Sequence, residues 1–313
     1  MGTAASHLDS LAANRPDAWV PGSGRLVRTT AADGTAGGPL TGSLEDVEIA
    51  LLLEGVYRHY GYDFRDYAPS SLRRRVRHLM LGHGLSSISD LTEKILHESL
   101  WFDRLLTAFS INVSAMFRDP PFFVALREQL VPILRTYPFV RIWHAGCSTG
   151  EEVYSTAILL HEAGLLDRCR IYATDINENV LRQAQDGIFP LAQMKAYTAN
   201  YIQAGGTQAF SEYYTAEYDR AIFRPWLRRN MVFAQHNLAM DTSFNEVHVV
   251  ICRNVMIYFN RPLQSRVIDL FSASLVRLGF LCLGSKESLK GARGEAAYDV
   301  VDADARLYRK VRG

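Results

Sequence analysis

One segment, residues 139–155 (FVRIWHAGCSTGEEVYS), constrains the fold more than any other part of the chain. It reads as a buried apolar strand, a tight loop of small residues, and a helix that begins at an acidic pair. Gly146 and Gly150 remove side chains where a ligand would approach bare backbone. Glu151 and Glu152 fall in the first helical turn, where acid favours the helix but disfavours a bound phosphate. The loop therefore suits a ligand that carries positive charge.

A second strand follows one helix later. RIYATDI, residues 170–176, ends at Asp175, and an acid at the end of the second strand of a βαβ unit can accept from both ribose hydroxyls. Val153, Ala157, Leu160 and Gly164 share one helical face, so the intervening segment reads as the crossover helix. A glycine loop with a strand-end acid points to an adenosine-bearing cofactor. S-adenosylmethionine, with its ammonium and sulfonium, fits this loop better than a dinucleotide.

The chain of 313 residues has room for two domains, and its 48% apolar and 21% charged composition is that of a globular protein. A net charge of +1 argues against a nucleic-acid binder driven by bulk electrostatics. No apolar run is long enough to span a membrane and no signal-peptide pattern opens the chain, so a cytoplasmic protein without membrane insertion is expected. Cys147, Cys169, Cys252 and Cys282 form no CxxC pair and read as reduced core thiols. The histidines form no HxH or HxxxH pair, so no metal is expected.

Residues 1–42 are rich in Gly, Ala, Thr, Ser and Asp and read as a disordered extension, with residues 13–19 as a short docking exception. Residues 43–134 read as a helical domain and linker helix. Ser43 with Asp46 forms a candidate cap, and further helices are expected from Pro69, over 88–96 and over 101–109. Residues 135–313 read as an α/β domain with strands at 139–145, 170–176, 231–236, 247–252, 278–284 and 305–311. The alternation predicts a mostly parallel sheet covered on both faces. Segment 187–230 interrupts it, is rich in Tyr and Phe, and reads as a small subdomain.

The ordered series SINVSAMFRD (110–119), GCSTGEEVYS (146–155), ATDIN (173–177), QHNL (235–238), CRNVMIYF (252–259) and LGSKESL (283–289) resembles the CheR family, the S-adenosylmethionine-dependent protein-glutamate methyltransferases of bacterial chemosensory systems. The resemblance spans roughly residues 43–311. It implies a doubly wound, Rossmann-like class I methyltransferase domain with an N-terminal all-helical domain and a small inserted β-subdomain.

It also implies residue roles. Asn112, Ser114 and Arg118 match a cofactor motif in which Ser replaces the usual Thr. Gly146, Cys147, Ser148, Gly150, Glu151 and Glu152 would cradle the methionine end, Asp175 the ribose, and Asn237 and Leu238 the adenine. Asn254 and Val255 would line the site, and Arg118 and Tyr258 would serve catalysis, with Arg253 close by. The late motif reads Gly-Ser-Lys-Glu where much of the family has Gly-His-Ser-Glu, so Lys286 departs from the pattern.

The resemblance suggests a monomeric enzyme that methylates glutamates of a chemoreceptor or similar signalling coiled coil and releases S-adenosylhomocysteine. Arg73, Arg74 and Arg77 would dock an acidic receptor bundle, and reversing their charge is expected to leave the domain folded.

Each motif also has a plainer reading. The glycines could serve a turn, Asp175 a helix cap, Asn237 and Asn254 loop backbone, and the arginines a solvated face. A non-catalytic S-adenosylmethionine-binding scaffold is the alternative function. A nicotinamide enzyme is disfavoured because GxGxxG is missing.

Overall fold

Helix α1 (Leu44–Tyr60) starts where Ser43 and Asp46 cap one another. The Ser43 hydroxyl accepts from the Asp46 amide, and the Asp46 carboxylate accepts from the Ser43 amide at 3.1 Å. Ile49, Leu52, Leu53 and Val56 form its buried stripe, and Gly61 (φ 77°) ends it in the left-handed region. Helix α2 (Pro69–Gly82) opens on proline and buries Leu72, Val76 and Leu79, while α3 (Ile88–His97) repeats the reciprocal cap with Ser87 and Asp90. Helix α4 (Ser99–Phe109) completes the layer. The computed structural model describes residues 42–110, 114–244 and 246–312. The expectations for residues 1–41, including 13–19, lie outside the described residues.

Helix α5 (Pro120–Ala125) and helix α6 (Val131–Leu134) are joined by a wide π turn over Leu126–Leu130. Pro132 lacks an amide and crowds the carbonyl four residues back, which widens the preceding turn. The chain then alternates: β1 (Val140–Ala145), α7 (Glu151–Glu162), β2 (Cys169–Asp175) and α8 (Glu178–Asp186). An insertion follows with β3 (Ile188–Pro190), α9 (Met194–Gln203), β4 (Tyr214–Glu217) and β5 (Arg220–Phe223). The short α10 (Pro225–Arg228) leads to β6 (Met231–Gln235), β7 (Val247–Cys252), α11 (Arg261–Ser274), β8 (Leu275–Leu283), β9 (Tyr298–Asp302) and β10 (Leu307–Lys310).

The main sheet has the order β6-β2-β1-β7-β8-β10-β9, with parallel pairing from β6 through β8 and antiparallel pairing at β10 and β9. The chain builds outward from β1 through β2 to β6, then returns so that β7 pairs on the other side of β1. The ends of β1 and β7 thus flank the topological switch point, where open α/β sheets bind ligands.

Two cores cover the sheet. One joins α7, the α5–α6 run and the insertion. The other joins the α1–α4 layer to Trp143, Val250, Phe271 and Leu281. The helical layer therefore shares its core with the sheet, and residues 42–313 cluster as one unit.

The expected insertion is a three-stranded antiparallel sheet, β3-β5-β4, backed by α9. Its aromatics pack inward: Tyr201, Tyr213 and Phe223 are almost wholly buried. Strand β8 begins before the expected 278, and β9 was not foreseen. Its YDVVD sequence has no apolar run because it is the edge strand, with Asp299 and Val300 exposed.

Glu162, at the end of α7, fastens the insertion. Its carboxylate pairs with Arg127 and accepts from the Tyr201 hydroxyl, from the Thr207 amide at 2.9 Å and from the Tyr213 hydroxyl at 3.1 Å. Burial opposes its ionisation, but the Tyr201, Thr207 and Arg127 contacts outweigh burial and hold its pKa below the ordinary range. Its stabilising contribution is thus present above the unfolded pKa, about 4.3, and is lost as pH falls through the lower folded value. Glu162→Gln is expected to cost about 2 kcal/mol in urea denaturation at neutral pH, because the half-buried Arg127 loses its counter-charge and the two tyrosine hydroxyls lose a charged acceptor. The penalty should shrink in acid, and an equal penalty at both pH values would contradict this role.

Candidate active site

The loop after β1 is folded against the end of β2. The amides of Gly146 and Cys147 both donate to the Thr174 carbonyl at 2.8 Å, and the Ser148 amide donates to Asp175 Oδ2 at 2.9 Å. Three successive N–H groups are therefore consumed within the protein. A phosphate-binding loop needs such groups free, so this geometry disfavours a dinucleotide. Gly146 has φ 80°, and a Cβ there would lie 2.5 Å from Val255 Cγ2. Gly150 has φ 95°, and its Cβ would meet Ala184 Cβ at 2.9 Å. The turn reading of both glycines is thus correct, and Gly146 also keeps the floor of a cleft open.

That cleft encloses about 1180 Å³, part of it open to solvent. Gly146, Cys147, Ser148 and Asp175 line it, joined by Ser114 and Arg118 from the preceding segment. Asn237 and Leu238 follow β6, and Asn254, Val255 and Tyr258 follow β7. Gly150 and Glu151 support the loop from behind instead. Glu151 is buried, bonded to the hydroxyls of Thr149 at 2.7 Å and of Ser114, and burial pushes its pKa up. Asn112 lies outside the described residues.

Asp175 is 7% exposed, and its second oxygen accepts from the Asn177 amide at 3.0 Å. Burial raises its pKa, and the amides of Asn177 and Ser148 oppose that. The cap of α8 is Asn177 itself, whose side chain accepts from Asn179. Asn237 likewise serves its own loop, accepting from the Ala239 amide at 3.0 Å, while it borders the cleft. The Cys147 thiol is buried, and desolvation together with the nearby Asp175 charge pushes its pKa well up, which suits a loop residue and not a nucleophile. All four cysteines are free and buried.

Beside the loop, the buried Arg253 forms the centre of a charge cluster that reaches the surface at Asp119. It donates to Glu152 and to Asp119, each at 2.7 Å, and stacks over the Phe122 ring at 4.0 Å. Burial works against ionising Glu152, but Arg253 and His144 prevail and keep its pKa low. Arg253 also donates to the Arg118 carbonyl, and the flanking residues Phe117 and Asp119 have φ of 51° and 55°. Arg118 thus sits on an unusual backbone pinned from beneath.

The end of β7 is held by Glu287. Its carboxylate accepts from the amides of Gly284 (2.7 Å), Asn254 (3.0 Å), Val255 (2.9 Å) and Ile257 (3.2 Å). Asn254 is thereby held at φ 61°, a left-handed conformation that Asn tolerates. Sequence reading missed this role, although the Glu of the late motif was its signal. It also missed the second wall. Phe64, Tyr67 and Phe109 of the helical layer line the cleft, and Arg75 lies 4.4 Å above the Tyr258 ring while donating to the Phe109 carbonyl.

Arg75 packs over the cleft residue Tyr258, whereas the other α2 arginines, Arg73, Arg74 and Arg77, are not part of the cleft lining. Arg73 pairs with Asp46, Arg77 reaches Glu45 at 2.5 Å, and Arg74 is exposed. Arg73 and Arg77 are thus surface ion-pair partners of α1, which the sequence reading did not foresee, and pairs this exposed contribute little to stability. Each reversal would set a carboxylate against the acids of α1.

A parallel sheet with a cleft at its switch point, floored by a loop that binds no phosphate and walled by a helical layer, defines a nucleoside-binding α/β enzyme of the methyltransferase kind. Residues 112–304 match the CheR methyltransferase SAM-binding domain and residues 48–110 the CheR methyltransferase all-alpha domain, so the chain belongs to the CheR methyltransferase family. It is 49% identical to "Putative methyltransferase Cher3" of Pseudomonas putida, over 85% of this chain and 97% of that protein. It is 28% identical to a chemotaxis protein methyltransferase of Listeria innocua (75% and 87% covered) and 26% identical to that of Salmonella typhimurium (82% and 91% covered).

The residues present fit S-adenosylmethionine. A Cβ at position 146 would collide with Val255, which lines the cleft, and the Asp175 oxygens, which accept from backbone amides, have lone pairs left for hydroxyl donors. Gly146→Ala is expected to lower stability by about 2 kcal/mol through the left-handed backbone and to weaken S-adenosylhomocysteine binding in calorimetry. Retained affinity would show that Val255 gives way and that the close approach is not required.

Proposed function

We propose that this chain methylates glutamate side chains of a chemoreceptor or related signalling protein, forming methyl esters that adjust the sensor's output. The observation that carries the reading is the cleft that joins Asp175 and the phosphate-excluding loop to Arg118 and Tyr258. The names of the relatives support a chemosensory acceptor. In this reading Asp175 receives the ribose hydroxyls, Asn237 and Leu238 border the adenine, and Ser114, Asn254 and Val255 shape the rest.

When bound, the cofactor supplies an electrophilic methyl group on a sulfonium. A glutamate carboxylate, with a pKa near ~4.3, is already the nucleophile at neutral pH, so no general base is required of the protein. The protein's work is placement and drying of the site. Arg118 holds the acceptor carboxylate, and the aromatic wall of Phe64, Tyr67 and Phe109 excludes water, which favours opposite charges merging into neutral products. Tyr258, fixed beneath Arg75, closes the same wall.

The direct test is methyl transfer from labelled S-adenosylmethionine to purified cytoplasmic fragments of the receptors encoded in the same genome. Esters release labelled methanol in base. Binding of S-adenosylhomocysteine with no transfer to any fragment would favour the scaffold reading.

Asp175→Ala is expected to weaken S-adenosylhomocysteine binding by about 1–3 kcal/mol, one to two orders of magnitude. Unchanged affinity would leave Asp175 as a loop acceptor only. Arg118→Ala should lower turnover by about 100-fold through lost orientation, with cofactor affinity little changed. A parallel loss of both would place Arg118 with the cofactor.

A further inference from the structure

A second concavity of about 830 Å³ lies on the other side of the turn that follows Asn254. Met256 and Ile257 line it, and Ile257 borders the cleft as well, so the two hollows share a wall. Cations enter it from two separate elements. Arg261 comes from the first residue of α11, and Lys286 and Lys290 come from the loop after β8. All three are exposed. Among the described residues none of them belongs to an ion pair, whereas Arg73 and Arg77 on α2 are answered by Asp46 and Glu45.

The carboxylates nearby do not neutralise the hollow. Glu287, which lines it, is buried and spends its oxygens on four backbone amides. Glu295 accepts from the Gly291 amide at 2.7 Å and is not part of the lining. Arg261 moreover sits at a helix start, where a cation opposes the dipole and Asn260 already supplies the cap. Helix stability therefore does not account for it. A run of charge on one surface is ordinarily a solvated face. Here cations from two elements converge on a concave site that adjoins the cleft, and no carboxylate there is free to pair with them.

We infer that this concavity docks a carboxylate-rich segment of the methyl-accepting protein, seating acidic side chains beside the glutamate presented to the cleft. The inference rests on the acceptor proposed above. Opposed charge at that place would speed encounter and fix the register of the acceptor against Arg118. The chemistry recognised is a cluster of side-chain carboxylates on one face of a protein segment.

The test compares wild type with the Lys286→Glu/Lys290→Glu double variant, using the receptor fragment that the wild type methylates best, at low salt. The variant's KM for that fragment should rise about tenfold or more, with kcat and S-adenosylhomocysteine affinity unchanged. Wild-type KM should rise with salt, and the variant's should not. The milder Lys286→Ala/Lys290→Ala pair should shift KM in the same direction and serves if the reversal unfolds the protein, with circular dichroism as the check.

An unchanged KM in folded variants overturns the inference while leaving the proposed reaction intact. Failure of the wild type to methylate any fragment sinks the acceptor assignment, and this inference with it. Calorimetric binding of inorganic phosphate that both lysine variants lose, with KM unmoved, would replace the docking site with a small-anion site.

Discussion

The carboxylate of Glu287 is the interaction on which the site depends. Backbone groups at the end of a parallel strand have no further partner, and an unpaired buried amide is costly. Glu287 receives four of them at once, across the gap between the ends of β7 and β8. That arrangement settles where the following residues stand. Asn254 takes its left-handed conformation, Val255 comes against Gly146, and Tyr258 turns toward α2. The cleft is therefore shaped by main-chain hydrogen bonding to one buried acid.

The helical layer extends the same scheme. The Ala68 amide donates to the Tyr258 carbonyl at 2.8 Å, the Asn260 amide to the Asp66 carbonyl at 2.9 Å, and Tyr67 meets Phe259 edge to face. With its apolar stripe shared with the sheet, this layer has no separate core to fall back on. The wall formed by Phe64, Tyr67 and Phe109 is thus set by the folding of the whole unit, which leaves little room for the cleft to relax when no ligand is bound.

Much of the architecture was legible because its signals are local. Ser43 and Asp46, the proline of α2, the alternation of strands and helices, and the glycine loop all declare themselves within a few residues. The five parallel strands were placed within a few residues of their true ends, since they carry continuous apolar runs, and β1 and β7 at the centre are almost wholly buried. Strand β9 was hidden because an edge strand alternates and carries charge.

In the site, the cleft-lining residues singled out from sequence are those carried by local motifs, at strand ends and at Ser114 and Arg118, whereas those brought in only by tertiary docking were not singled out. Glu287 is 33 residues from Asn254, and Arg75 and Tyr258 are brought together only by docking of the helical layer. The pairing of Arg73 and Arg77 with α1 was invisible for the same reason. A charge pattern on one helix says nothing about the acids of a neighbour.

The closed hydrogen bonding of the loop after β1 has a consequence for selectivity in a crowded mixture. Most adenosine-bearing metabolites carry two or three phosphates, and they compete for any pocket that recognises adenosine alone. Here the loop amides are already taken, and the Asp175 carboxylate lines the cleft beside them. Such a pocket withholds from a polyphosphate the amides it would need and sets a carboxylate near its place. Discrimination of this kind costs the protein nothing in affinity for its own ligand, because the groups that repel the wrong molecule are those that give the loop its shape.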